Sequence, residues 1–157
     1  MKTDTSNRKR RRTLNTNKDI VFEYFRLIKK KDSEQLLDLF AHDAVIYEPF
    51  SNLMEGLRGR SAIEPFLKVA VMANDRLQHH MIIEKKPYNE TNKTNNNKDS
   101  DNVITALVTF EKGDSARARF TFELSSDDDN NDDDYNTDGI SNSIHKKIKT
   151  LHIQFTK

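Results

Sequence analysis

The chain has no cysteine and no tryptophan, only four glycines and three prolines, and neither sign of charge in excess, with 26 Lys and Arg against 25 Asp and Glu. Without cysteine there is no disulfide scaffold, no thiol nucleophile and no thiolate metal site. No apolar run approaches the ~20 residues that a membrane-spanning helix needs. Mean hydropathy is also low, at -0.86. That average hides an uneven distribution. Residues 1–18 carry seven positive charges against one Asp, residues 89–102 are rich in Asn, and residues 125–142 carry seven Asp. Between these stretches the chain is apolar enough to fold as one domain.

The polar stretches have simple physical readings. Within residues 1–18 only Met1 and Leu14 are large and apolar, so no secretory signal is expected and the location is expected to be cytoplasmic. Arg8, Lys9, Arg10, Arg11 and Arg12 form a basic run. Such a run could hold phosphates by charge alone or act as a nuclear address. No aromatic residue is interleaved to stack on bases, so residues 1–18 are expected to be a disordered basic arm, with nucleic acid not expected as a partner. Residues 89–102 and 125–142 bury too little to offset their ordering entropy and are expected to be mobile insertions between strands. The Asp tract lacks the glycine turn and closing Glu of a calcium loop.

The remainder alternates between helical and strand periods. From Asp19, the residues Ile20, Val21, Tyr24, Phe25 and Ile28 recur at helical spacing, and the run ends on Lys29, Lys30 and Lys31. Asp32 with Gln35 predicts a capped second helix through Phe40. Residues 44–48 predict a short strand that Pro49 ends, followed by an irregular loop over residues 50–59. Ser61 with Glu64 forms a second capping pattern. Behind it Ile63, Phe66, Leu67, Ala70 and Val71 predict a helix to about Asn74. Residues 77–86, 103–112, 116–124 and 144–155 read as strands. In the third of these, Ala118, Phe120, Phe122 and Leu124 alternate with Arg117, Arg119, Thr121 and Glu123. Glu111 to Asp114 supplies the turn between the second and third. The order is α-α-β-α-β-β-β-β, an α+β arrangement in which one curved antiparallel sheet wraps three N-terminal helices and leaves a conical space.

Several segments carry a more specific likeness. They are residues 24–28 (YFRLI), 31–45 (KDSEQLLDLFAHDAV), the pair Glu48-Pro49, residues 56–63 (GLRGRSAI) and the closing residues 147–153 (KIKTLHI). Together they resemble the nuclear transport factor 2-like superfamily, in its SnoaL-like and steroid-isomerase-like branch. The resemblance covers residues 19–155 apart from the two insertions and implies a cystatin-like cone. It also implies roles for two residues. Glu48 stands where the steroid isomerases carry their general base, and Tyr24 where they carry the donor to the developing oxyanion. The third member of that site, an Asp, has no counterpart in residues 116–124, where Phe120 falls near its place.

The expectation is therefore a domain that binds a small, largely apolar molecule in its central cavity. If it is catalytic, it would be an isomerase or lyase without cofactor, with Glu48 and Tyr24 as catalytic residues. Phe22, Phe66, Phe120, Phe122 and His152 are expected to line the cavity. The alternative is a non-catalytic homodimeric module that self-associates through the open sheet face carrying Arg117, Arg119, His152 and Gln154. Arg117 and Arg119 could equally make cross-strand ion pairs. The five His show no i, i+4 pair, so no metal site is expected.

Overall fold

A computed structural model of the chain describes residues 16–73, 79–84, 102–110, 116–125 and 146–156. The basic arm and both low-complexity insertions lie outside the described residues, except at their edges. There the expected boundaries shift inward. Helix α1 spans Asn17–Lys30, because Thr16 and Asp19 close a capping box. The Thr16 side chain accepts from Asp19 N–H and the Asp19 carboxylate accepts from Thr16 N–H. Ser125 is not part of an insertion but is buried. Its N–H donates to the Lys147 carbonyl at 2.8 Å, and its Oγ accepts from Lys147 N–H at 2.9 Å. Asn102 accepts from Lys146 Nζ at 2.9 Å. The strands are thus tied across the places where the two insertions leave them.

Helix α1 ends on Lys31 in the left-handed conformation, with Lys31 N–H on the Ile28 carbonyl and Asp32 N–H on the Leu27 carbonyl. Asp32 then caps α2, Ser33–Asp38, accepting from Gln35 N–H at 3.0 Å. The helix stops short of the expected Phe40 because the sheet captures that residue. Strand β1 runs Phe40–Tyr47, and Phe40 is in register with Ile148. A two-residue strand β2, Leu57–Arg58, lies inside the expected irregular loop and pairs with Val45 and Ile46.

Helix α3 spans Arg60–Ala73. Ser61 lies inside it, so the expected Ser61–Glu64 box does not form. The helix instead starts from the Gly59 carbonyl, which accepts from Ala62 and Ile63 N–H. Glycine suits the two turn positions ahead of it, with φ +81° at Gly59 and +70° at Gly56. At Gly56 a Cβ would also stand 2.8 Å from Val45 Cγ1 and 2.9 Å from the Ile46 carbonyl oxygen.

Strands β3 (His79–Ile83), β4 (Val103–Phe110), β5 (Arg117–Leu124) and β6 (Ile148–Thr156) follow, and the sheet order is β2-β1-β6-β5-β4-β3. The turn expected at residues 111–114 lies outside the described residues. The sheet is curved but mixed rather than wholly antiparallel, because β1 and β6 run parallel. After α3 the chain makes three antiparallel steps from β3 to β6, and these return it beside β1 in the same direction. The alternation read in β5 sets the inner face of the sheet. Rows such as Ile104, Phe122 and Leu151, or Ala106, Phe120 and Ile153, point at the helices. Val21, Tyr24, Leu27 and Leu36 close the core from the helical side.

Candidate functional site

Helix α3 presents two apolar stripes. Ile63, Leu67 and Val71 are buried in the core. The neighbouring stripe of Ala62, Pro65, Phe66, Val69, Ala70 and Ala73 recurs at i, i+3, i+4, i+7, i+8 and i+11, and it faces a half-open hollow of about 910 Å³. Its small side chains leave the space open. The opposite wall is the inner sheet face, with Ala118, Phe120, Ile153 and Phe155. Tyr24, Phe25 and Ile28 of α1 form the floor, and Glu48, Phe50, Ser51 and Leu57 form the rim.

Two sequence-predicted residues share this wall. Tyr24 sits among rings, 5.1 Å from Phe25, 5.2 Å from Phe122 and 6.3 Å from Phe40 between centroids. Burial holds its phenol above the usual tyrosine range, so the hydroxyl is a neutral donor. Glu48 follows the last residue of β1, where Pro49 ends the ladder. Its carboxylate turns onto its own loop, accepting from Phe50 N–H at 2.6 Å and from Ser51 N–H at 3.0 and 3.2 Å. A carboxylate offers about four lone-pair sites, so these two donors leave it capacity for a further partner.

Phe66 and Phe120 also lie in the wall, whereas three expected lining residues do not. Phe22 is 52% exposed, because it falls off the α1 stripe defined by Ile20, Val21, Tyr24 and Ile28. Phe122 is fully buried in the core beneath Tyr24 and Phe25. His152 is exposed on the outer sheet face with its ring 5.5 Å from Tyr47, since alternation sets it opposite Leu151 and Ile153. On that same face Arg119 makes a two-pronged pair with Glu84, at 3.1 and 3.2 Å. The lining residues that the sequence reading missed include Phe110, Phe155 and, on α3, Ala62, Val69 and Ala73. The stripe was visible as a second helical period beside the core one. The far strand ends carried no local signal. Among the described residues no group of three or more His, Cys, Asp or Glu could hold a metal ion, and no helix is long and apolar enough to cross a membrane.

Solved structures with the same architecture are numerous, although no family model and no curated protein sequence matches the chain. A SnoaL-like protein of unknown function from Burkholderia thailandensis superposes with a TM-score of 0.58 at 11% identity, over 90% of this chain and 94% of the other. A steroid delta-isomerase from Pseudomonas aeruginosa gives 0.54 at 11% identity, over 90% and 80%. SalBIII, an epoxide hydrolase/cyclase-like enzyme in pyran ring formation in polyether salinomycin, gives 0.54 at 15% identity, over 89% and 90%. The chain has the nuclear transport factor 2-like fold. At these identities the likeness is one of fold, which hosts many chemistries.

Proposed function

We propose that the protein binds a small, largely apolar molecule in the hollow between α3 and the sheet. The observation that carries this reading is the composition of the wall. Among the described residues, an open volume of about 910 Å³ is lined by aliphatic and aromatic side chains with only Tyr24, Glu48 and Ser51 as polar exceptions. Few, localised polar groups in an apolar cleft are the usual make-up of a small-molecule site. Tyr24 would donate to an acceptor on the ligand, and Glu48 would receive a donor or a proton. With a ligand that carries an acidic C–H beside a carbonyl, the two supply a base and an oxyanion donor, as an isomerase or lyase without cofactor requires. The steroid delta-isomerase among the structural neighbours agrees with chemistry of that kind.

The reading is tested by calorimetric titration with a neutral tricyclic alcohol, dehydroabietinol. Saturable one-to-one binding is expected, and Tyr24→Phe weakens it roughly five-fold, the worth of one neutral hydrogen bond. Absence of saturable binding to the wild-type protein would overturn it. A second reading, self-association through the outer sheet face, draws on Ile82, which is 67% exposed in register with Leu107, Arg119 and Gln154. A concentration-dependent monomer–dimer equilibrium in sedimentation, lost on Ile82→Glu, is what that reading requires.

A further inference from the structure

We propose that the ligand is an organic cation: a bulky apolar body carrying a protonated amine, with Glu48 as its counter-ion. This rests on the hollow being a ligand site, as proposed above, and not on the proton-transfer step. Three observations lead to it. The first is the sign of the charge in the wall. Among the described lining residues Glu48 is the one carboxylate, and no Lys, Arg or His stands with it. A ligand carboxylate or phosphate placed there would meet like charge and find no cation, whereas an ammonium finds a partner.

The second observation is where that carboxylate lies. Glu48 is half-buried at the rim, beside Phe50 and Phe155, which are 75% and 53% exposed and meet edge to face at 5.5 Å. An ammonium held there keeps part of its hydration while the apolar body enters the hollow, so the desolvation cost that penalises a fully buried ion pair is reduced. The carboxylate is also pre-oriented, because Phe50 and Ser51 N–H hold it without exhausting its lone pairs.

The third observation is the aromatic wall. Phe25, Phe50, Phe66, Phe110, Phe120 and Phe155 all contribute. Ring faces attract cations, and a carboxylate set among rings is the arrangement that recognises alkylammonium groups. An amine seated at Glu48 takes the carboxylate as counter-ion rather than as base. Tyr24, at the floor, is left to donate to a hydroxyl or carbonyl at the far end of the molecule.

The experiment compares three ligands that share one tricyclic skeleton and differ in one group: dehydroabietylamine, dehydroabietinol and dehydroabietic acid. Each is titrated calorimetrically at neutral pH into the full chain and into Glu48→Gln. With the wild-type protein the amine is expected to bind about ten-fold tighter than the alcohol, and the acid weaker than both, as one charge-assisted contact implies. In Glu48→Gln the gap between amine and alcohol should fall to less than about two-fold, whatever the alcohol's own affinity there. An acid that binds as tightly as the amine, or an amine preference that survives in Glu48→Gln, overturns the proposal. Should Glu48→Gln fail to fold, the wild-type order of the three ligands decides alone. Alcohol binding without amine preference removes this inference and leaves the hollow as a ligand site. Failure of both the alcohol and the amine to bind removes both.

Discussion

Phe122→Ala is expected to lower the stability of the fold by about 3–5 kcal/mol, the usual cost of truncating a fully buried aromatic ring. Phe122 has no exposed surface and lies between Ile104 and Leu151 on the inner sheet face. Its ring packs on Tyr24 at 5.2 Å, Phe25 at 6.2 Å and Phe120 at 6.4 Å, so one substitution removes three aromatic contacts and leaves a void at the sheet–helix junction. Domains of this size are stable by only about 5–15 kcal/mol, so the variant should sit near the edge of folding. Urea denaturation followed by circular dichroism measures the effect. Phe50→Ala, at a ring that is 75% exposed, should by contrast stay within about 0.5 kcal/mol of the wild type. Equal losses for the two would mean that the packing described for α1 against β5 is wrong.

Ala118→Trp is expected to abolish binding of dehydroabietinol, by at least about 100-fold, while the fold survives. Ala118 is 1% exposed, sits mid-sheet between Val108 and Phe155, and faces the hollow. An indole placed there occupies the space opposite the small-residue stripe of α3. Overpacking a closed core costs about 1–3 kcal/mol, but a half-open hollow can take the ring with less strain. Arg117→Ala, one residue away on the exposed outer face, should leave the affinity unchanged. Calorimetric titration of both variants, with circular dichroism as a check on folding, makes the comparison. Undiminished binding to Ala118→Trp would place the ligand elsewhere.

Much of this architecture can be read from local pattern. The stripe of Ile20, Val21, Tyr24, Phe25 and Ile28 is the buried face of α1, and the alternation in residues 117–124 assigns both faces of β5. Both signals arise because periods of 3.6 and 2 are imposed by backbone geometry alone. What stayed hidden depended on distant partners. Residues 40–43 do not alternate in burial, and Phe40 becomes a strand residue only because Ile148 is there to pair with it. The parallel β1–β6 contact is likewise a choice between segments a hundred residues apart.

The start of α3 shows competition between local signals. Ser61 has the chemistry of a cap, yet Gly59, free to adopt a positive φ, takes the turn first. At the site, Tyr24 and Glu48 were singled out by resemblance, and both lie in the wall of the hollow. His152 alternates with Leu151 and Ile153, and its face proves to be the outer one rather than the polar part of the hollow. Phe66 and Ala70 of the α3 stripe belong to the helical pattern legible in the sequence, whereas Ala62 and Ala73 do not, and the small alanine side chains are what leave the hollow open.

The most direct test is diffraction from crystals of the full chain grown with dehydroabietinol. The account predicts density for the tricyclic body between α3 and β5, with its hydroxyl within hydrogen-bond reach of Tyr24 or Glu48. Density on the outer sheet face, or a hollow closed by its own side chains in the presence of saturating alcohol, would contradict it.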